Sequence, residues 1–205
     1  MSFPKQFLDD TGEILRRLSV DDVDATIETL VRVRERGGRI FFCGSGGGAG
    51  HASHAACDFR KLAQIESYCV SDNVSELTAR INDDGWDSSY ANWLRQSHLG
   101  PDDVLFVFSV GGGDAARNVS PNLVRAMQLA REVGAAIVGV AGRDGGTLRE
   151  LANACVVIPT VDASLVTPQT EGLQSLIWHL IVSDPRLAAA TAKWESMEPA
   201  GPTSS

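Results

Sequence analysis

Five short apolar runs recur along the chain: RIFFCG (39–44), ESYCVS (66–71), DVLFVFS (103–109), AAIVGVAG (135–142) and ACVVIP (154–159), each bounded by Gly, Pro, Ser or Asp. Runs this short and this apolar predict strands buried on both faces. Between them lie stretches of helical periodicity at 49–63, 73–81, 88–96, 118–133 and 146–152, with a last one at 170–182. Strands that alternate with helices share a parallel sheet through right-handed crossovers, which cover both of its faces. The expected fold is therefore α/β, a three-layer αβα sandwich around a five-stranded parallel sheet, Rossmann-like in plan. Two more helical patterns, 4–18 and 21–36, precede the first strand, and Gly37 and Gly38 stop the second. Residues 1–194 read as a single domain that includes these N-terminal helices (1–37), and the polar residues 195–205 as a disordered tail.

Charge and composition narrow the function. A net charge of −8 argues against a nucleic-acid surface, which needs a basic patch. No apolar run reaches the roughly 18 residues of a membrane span, and MSFPKQFLDDTGEILRR lacks the apolar core of a signal peptide. A cytoplasmic protein that handles small molecules is the expectation. Cys43, Cys57, Cys69 and Cys155 lie in or beside apolar segments with no CxxC pair, which predicts buried, reduced thiols.

In an open parallel sheet, ligands bind beyond the carboxyl ends of the strands. Three glycine loops fall there: GSGGGAG after the first strand, SVGGGDA after the third and GRDGGT after the fourth. Glycine lets backbone approach a ligand and leaves amides free to meet an anion. Ser45, Gly46 and Gly47 in the first loop, and Ser109, Gly111, Gly112, Gly113 and Asp114 in the second, are the candidate contacts. A dinucleotide site is disfavoured, because Ala49 stands in the third place of GxGxxG and only Asp72, in a turn, lies near the end of the second strand. No GKS or GKT occurs, which excludes a P-loop. Just after the first loop, His54 and Asp58 stand four residues apart on one helix face, a spacing that suits a shared metal or an acid–base pair. In LVTPQTEGLQSLIWHLIV, Pro168 marks a helix start, and Glu171, Gln174 and His179 interrupt an apolar run. Trp86, Trp93 and Trp178 read as packing aromatics.

These landmarks together resemble the SIS-domain phosphosugar isomerases, and within them the sedoheptulose 7-phosphate (phosphoheptose) isomerases, over roughly residues 10–185. CGSGGGAGHASHAACDF resembles that family's C-G-N-G-G-S followed by H-x-x-x-E, and the VSDN…INDDGW stretch, the FSVGGGDA loop, AGRDGGTLRELA and the final IWHLI follow in order. The resemblance implies catalysis by Asp58 and His179, with Asp58 standing where the family has glutamate. It implies Zn²⁺ held by His54, Asp58, Glu171 and His179, and contacts to substrate from Glu171 and from Asn82 or Asp83 in a loop at 82–84. It implies conversion of sedoheptulose 7-phosphate to D-glycero-D-manno-heptose 7-phosphate by a homotetramer with sites between subunits. Glu171 and His179 are about 12 Å apart along an ideal helix, so an irregular helix start or a neighbouring subunit is needed to bring both to one ion.

One loop departs from the family. Relatives carry Ser-Thr-Ser-Gly-Asn-Ser where this chain has Ser109-Val110-Gly111-Gly112-Gly113-Asp114. Asp114 reads as a helix N-cap that would repel a phosphate. Either the amides of Gly111 to Gly113 hold phosphate with help from Arg60, Lys61 or Arg117, or the ligand is not phosphorylated there and Asp114 binds a sugar hydroxyl. The alternatives to the heptose reaction are an isomerase of the same fold for another sugar or sugar phosphate, and a non-catalytic sugar-phosphate-binding or regulatory protein.

Overall fold

The computed structural model describes residues 2–194, 196 and 197; the tail expected at 195–205 lies, but for two residues, outside the described residues. Two helices open the chain, α1 (Phe3–Arg17) and α2 (Val20–Glu35). Then follow β1 (Ile40–Gly44), α3 (Gly47–Lys61), β2 (Ser67–Cys69), α4 (Val74–Asp84) and α5 (Trp86–Gln96). The remainder runs β3 (Val104–Ser109), α6 (Pro121–Glu132), β4 (Ala136–Ala141), α7 (Gly146–Leu151), β5 (Ala154–Val157) and α8 (Val166–Ser183). All five strands are parallel, in the order β2-β1-β3-β4-β5.

The strand residues alternate between two cores, as the pleat requires. Ile40, Phe42, Phe106, Phe108, Val138 and Val140 face one layer and meet Phe59, Ile177 and Trp178, all buried. Phe41, Cys43, Leu105, Val107 and Ile137 face the other, against Leu94, Leu123 and Met127. At the amino edge, the Asp103 carboxylate accepts from the Arg39 amide at 2.9 Å and from its guanidinium at 3.1 and 2.8 Å, which pins the starts of β1 and β3 together. Cys43 and Cys69 are buried as expected, while Cys57 is exposed because it lies on the outer face of α3.

Several boundaries differ from expectation for local reasons. Helix α2 is part of the core layer, with Val23, Ile27, Leu30 and Val33 buried. Helix α1, by contrast, keeps an apolar outer face, with Phe3, Leu8 and Leu15 exposed. Helix α8 starts four residues before 170: Asp162 caps a 3₁₀ turn at Ala163–Leu165 that feeds it, and Pro168 fits in the first turn, where amides have no intrahelical partner. Helix α4 runs on to Asp84, so residues 82–84 are its last turn and not a loop. Helix α6 starts at Pro121, which leaves Asp114 outside any helix.

The strand order places a switch point between β1 and β3. From β1 the chain goes outward to β2, and from β3 it goes the other way to β4, so the loops leaving β1 and β3 diverge and open a crevice.

Candidate active site

At that crevice lies a cleft of about 700 Å³ whose lining includes Ser45, Ser109, Asp114, Arg117, Arg143 and Thr147. The GSGGGAG loop beside it is shaped first by packing. A side chain on Gly44 would lie 2.3 Å from the Gly48 carbonyl, and one on Gly48 would lie 2.7 Å from the Phe108 carbonyl, so bare backbone lets α3 sit directly on β1 and β3. Gly46 is the residue with positive φ (60°) that turns the strand into the helix. The Ser45 hydroxyl accepts from the buried Asn122 side chain at 3.1 Å, which aims its own proton elsewhere.

The SVGGGDA loop is likewise tied down. The Ser109 hydroxyl accepts from the Gly112 amide at 3.0 Å. The carbonyls of Gly112 and Gly113 accept from Leu148 and Thr147, at 2.9 and 3.0 Å, in the first turn of α7. One of the three glycine amides expected to meet phosphate is therefore committed within the protein. Asp114 does not cap a helix; it closes a 114–119 turn, accepts from the Arg117 amide at 2.8 Å and forms an ion pair with the Arg117 guanidinium. Those bonds hold its carboxyl below the ordinary carboxylate range. Arg60 and Lys61 end α3 at the far, amino edge of the sheet, where Arg60 donates to the Ser67 carbonyl and lies over the Tyr68 ring, so neither reaches this cleft. Asn82 and Asp83, exposed and bonded to each other at 2.7 Å on the end of α4, do not line it either.

The second focus lies between α3 and α8. Among the described residues, His54, Asp58 and His179 bring one ligand atom each to within 4.8 Å of one another. Asp58 Oδ2 is 3.8 Å from His54 Nε2 and 3.9 Å from His179 Nε2. Nδ1 of His179 is 2.7 Å from the Ser175 carbonyl one turn back. A carbonyl only accepts, so Nδ1 carries the proton and Nε2 presents its lone pair to Asp58 and His54. The His54 ring stands edge-on to Trp178, which is buried and fixes it. Asp58 is mostly shielded, whereas the His54 and His179 side chains are 60% and 48% exposed. Two imidazoles and a carboxylate converging on one point make a donor set that fits Zn²⁺.

Glu171 stands apart from this cluster. Helix α8 is continuous from Val166, and it places the Glu171 carboxylate against Gly47, where any side chain would come within 2.6–2.8 Å of it. A carboxylate there sits at the favourable N-terminal end of α3. His51 faces the Glu171 backbone; burial lowers its pKa, and the bond to that carbonyl only partly offsets this. Gln174 ties helix to sheet: its amide donates to the Ser109 and Val140 carbonyls at 3.0 and 3.2 Å and locks α8 onto the strand ends. Of the tryptophans, Trp178 is core, Trp93 packs edge-on against Phe41 and donates to Glu76, and Trp86 is 41% exposed. Asn122 and Arg143 were not singled out by sequence pattern, because their places beside Ser45 and Gly111 come from the packing of distant segments, and the Ser175 carbonyl carries no residue-type signal at all.

Comparison with known proteins gives a consistent picture. A family model described as SIS domain matches residues 6–142. The lincomycin biosynthesis protein LmbN of Streptomyces lincolnensis is 35% identical over 187 residues, which cover 88% of this chain and 68% of that protein. The phosphoheptose isomerase of Rhodospirillum rubrum is 31% identical over 150 residues, covering 71% of this chain and 74% of that one. Among solved structures, phosphoheptose isomerase GmhA from Neisseria gonorrhoeae superposes with a TM-score of 0.73 at 22% identity, over 88% of this chain and 96% of that chain.

Proposed function

From the premise that the chain belongs to the SIS domain family, we propose that it is a phosphoheptose isomerase, an aldose–ketose isomerase that converts sedoheptulose 7-phosphate to D-glycero-D-manno-heptose 7-phosphate for heptose biosynthesis. The observation that carries this reading is the convergence of His54, Asp58 and His179 across two helices that meet only in the folded chain. The reaction moves one proton from C1 of the ketose to C2 of the aldose through an enediol and another from the C1 oxygen to the C2 oxygen, so two acid–base groups can divide the work. Asp58 and His179 fit that work. Oδ2 of Asp58 faces both imidazoles, and Nε2 of His179 is the unprotonated nitrogen because Ser175 holds Nδ1–H.

His54, Asp58 and His179 are the residues that would hold Zn²⁺, with Glu171 a ligand only if it is brought from another subunit. When bound, the ion supplies polarisation of the substrate carbonyl and charge stabilisation of the enediolate. Nε2 of His179 serves one role at a time, as ligand or as proton carrier. The cleft at the β1/β3 switch point takes the phosphate-bearing end of the sugar.

Along α3 the cluster lies about 10 to 16 Å from Gly47 at the cleft's edge. A homotetramer with its sites between subunits accommodates that separation. Its support is the apolar surface beside the cluster, where Leu176 and Leu180 are exposed on α8, and the outer face of α1. A cytoplasmic location belongs to the same reading, since sugar phosphates do not cross membranes unaided; among the described residues no helix is long and apolar enough to span one.

The test is incubation of the purified protein with sedoheptulose 7-phosphate, with and without Zn²⁺, followed by NMR of the anomeric proton. A manno-configured aldose that forms with wild type and not with Asp58→Ala supports the proposal; no aldose from folded, metal-loaded protein refutes it. An isomerase of the same mechanism for another sugar phosphate is the second reading, favoured by the absence of any hydroxyl side chain between residues 110 and 119. A panel of ketose phosphates separates the two.

A further inference from the structure

The cleft at the switch point is poor in unpaired cations that could hold a dianion. Among its hydroxyls, those of Ser109 and Thr147 each accept one backbone hydrogen bond, from the Gly112 amide at 3.0 Å and the Ala115 amide at 3.3 Å. Three carboxylates line it, from Asp114, Asp144 and Glu150, against two guanidiniums, from Arg117 and Arg143. Arg117 is consumed by Asp114. Arg143 differs: among the described residues its side chain makes no ion pair and donates no hydrogen bond, although the carboxylate of Asp144 is adjacent in sequence and instead accepts from the Gly146 amide at 3.2 Å.

Arg143 is also held in place. Its φ of 56° is left-handed, a conformation that costs a residue with a side chain on the order of 1 kcal/mol and persists where surrounding structure imposes it. The constraint is visible on both sides, where the Gly142 amide donates to the Val110 carbonyl and the Gly145 amide to the Gly142 carbonyl, each at 3.0 Å. The stem then lies over Gly111, where an added Cβ would come within 3.4 Å of Arg143 Cδ. The residue forms the wall between the large cleft and a neighbouring one of about 330 Å³ lined by Thr160 and Thr167.

We infer that Arg143 is the specificity-determining cation of this protein, binding the substrate's phosphate dianion through its guanidinium where the 110–119 segment offers no hydroxyl. The inference rests on the sugar-phosphate reading above and extends it. A planar guanidinium meets two phosphate oxygens at once, and its stem, lying on a glycine, can approach them without displacing backbone. Without Arg143, the remaining charges around the cleft are negative or mutually paired, and a dianion would be repelled. The Ser45 proton, directed away from Asn122, and the amides of Gly111 and Gly113 then add uncharged donors beside that one unpaired cation.

The experiment measures binding and turnover separately. Inorganic phosphate and sedoheptulose 7-phosphate are titrated by calorimetry into the full-length wild type, Arg143→Gln, Arg143→Lys and Arg60→Gln, the last as a control at the far edge of the sheet, with melting curves to verify folding. Loss of a charged hydrogen-bonding partner predicts a roughly 10- to 100-fold rise in Kd for both ligands in Arg143→Gln. A rise in KM for sedoheptulose 7-phosphate without a matching fall in kcat, partial rescue by lysine and no change in Arg60→Gln complete the expected result. Arg143-dependent binding in a protein that turns over no heptose would uphold the inference while the isomerase reading failed. Turnover and phosphate affinity unchanged in Arg143→Gln, or a wild type that binds neither ligand, overturns it.

Discussion

Replacing Gly44 with alanine tests the claim that the first glycine loop is shaped by packing before it serves any ligand. The new methyl would lie 2.3 Å from both the carbonyl carbon and the oxygen of Gly48, and 2.8 Å from the amide nitrogen of Ala49, all backbone atoms with no rotamer to yield. Helix α3 must move off β1 by several tenths of an ångström, in a region where Phe42, Ala52, Ala55 and Phe108 are fully packed. Overpacking of this kind costs about 1–3 kcal/mol, and a rigid neighbour puts Gly44→Ala at the upper end, about 3 kcal/mol. For a chain of this size each kcal/mol lowers Tm by about 2–4 °C, so calorimetry should record a loss of roughly 6–12 °C. Because His54 and Asp58 ride on α3 while His179 rides on α8, the same displacement should weaken Zn²⁺ binding. Gly50→Ala is the matched control: nothing lies within 4 Å of its added methyl, and inside a helix the change should be neutral or stabilising by about 0.5–1 kcal/mol. A Gly44→Ala protein that melts within about 2 °C of wild type would refute the packing account and return the loop's glycines to ligand binding alone.

Other consequences are open to direct measurement. Zn²⁺ at a hundredfold excess over its Kd should stabilise wild type by about 2.7 kcal/mol, a rise in Tm of roughly 5–10 °C; His54→Ala and His179→Gln should lose most of that shift while melting near wild type without metal. Under native conditions at pH 8, a thiol reagent followed by mass spectrometry should label Cys57 first, since it is exposed, whereas burial raises the pKa of Cys43 and pushes those of Cys69 and Cys155 up to about 11 and about 12. Hydrogen bonds from Arg117 lower the Asp114 pKa, so that carboxylate favours the folded turn above the ordinary carboxylate range and loses its contribution as pH falls through the lowered value. Carbon NMR should show its titration moving up toward the ordinary range in Arg117→Gln.

The sheet was readable because its residues are local in their demands. Strands such as 104–109, buried on both faces, need uninterrupted apolar sequence, and the intervening helices need a 3.6-residue period, so the order of elements and the parallel sheet follow from pattern alone. The pairing of His54 with Asp58 is equally local, four residues on one helix. What brings His179 to them is the parallel packing of α8 beside α3, and no short-range signal encodes that; the resemblance to a known family supplied it. Boundaries were missed where a local cue was outweighed. Residues 82–84 look like a turn yet continue α4 until Gly85 ends it, and Pro168 sits inside a helix that begins before it.

By itself the sequence determined the fold class, the carboxyl-edge glycine loops and the chemistry available on α3 and α8, since each depends on residue type and near neighbours. Only the tertiary structure decided how those parts are used. It took Asp114 out of a helix and gave it to Arg117, sent Arg60 to the far edge of the sheet, set Glu171 against Gly47, and left Arg143 lining the cleft with no carboxylate partner among the described residues. A charge becomes a site or a structural tie according to what stands within a few ångströms of it, and those neighbours come from segments tens of residues apart.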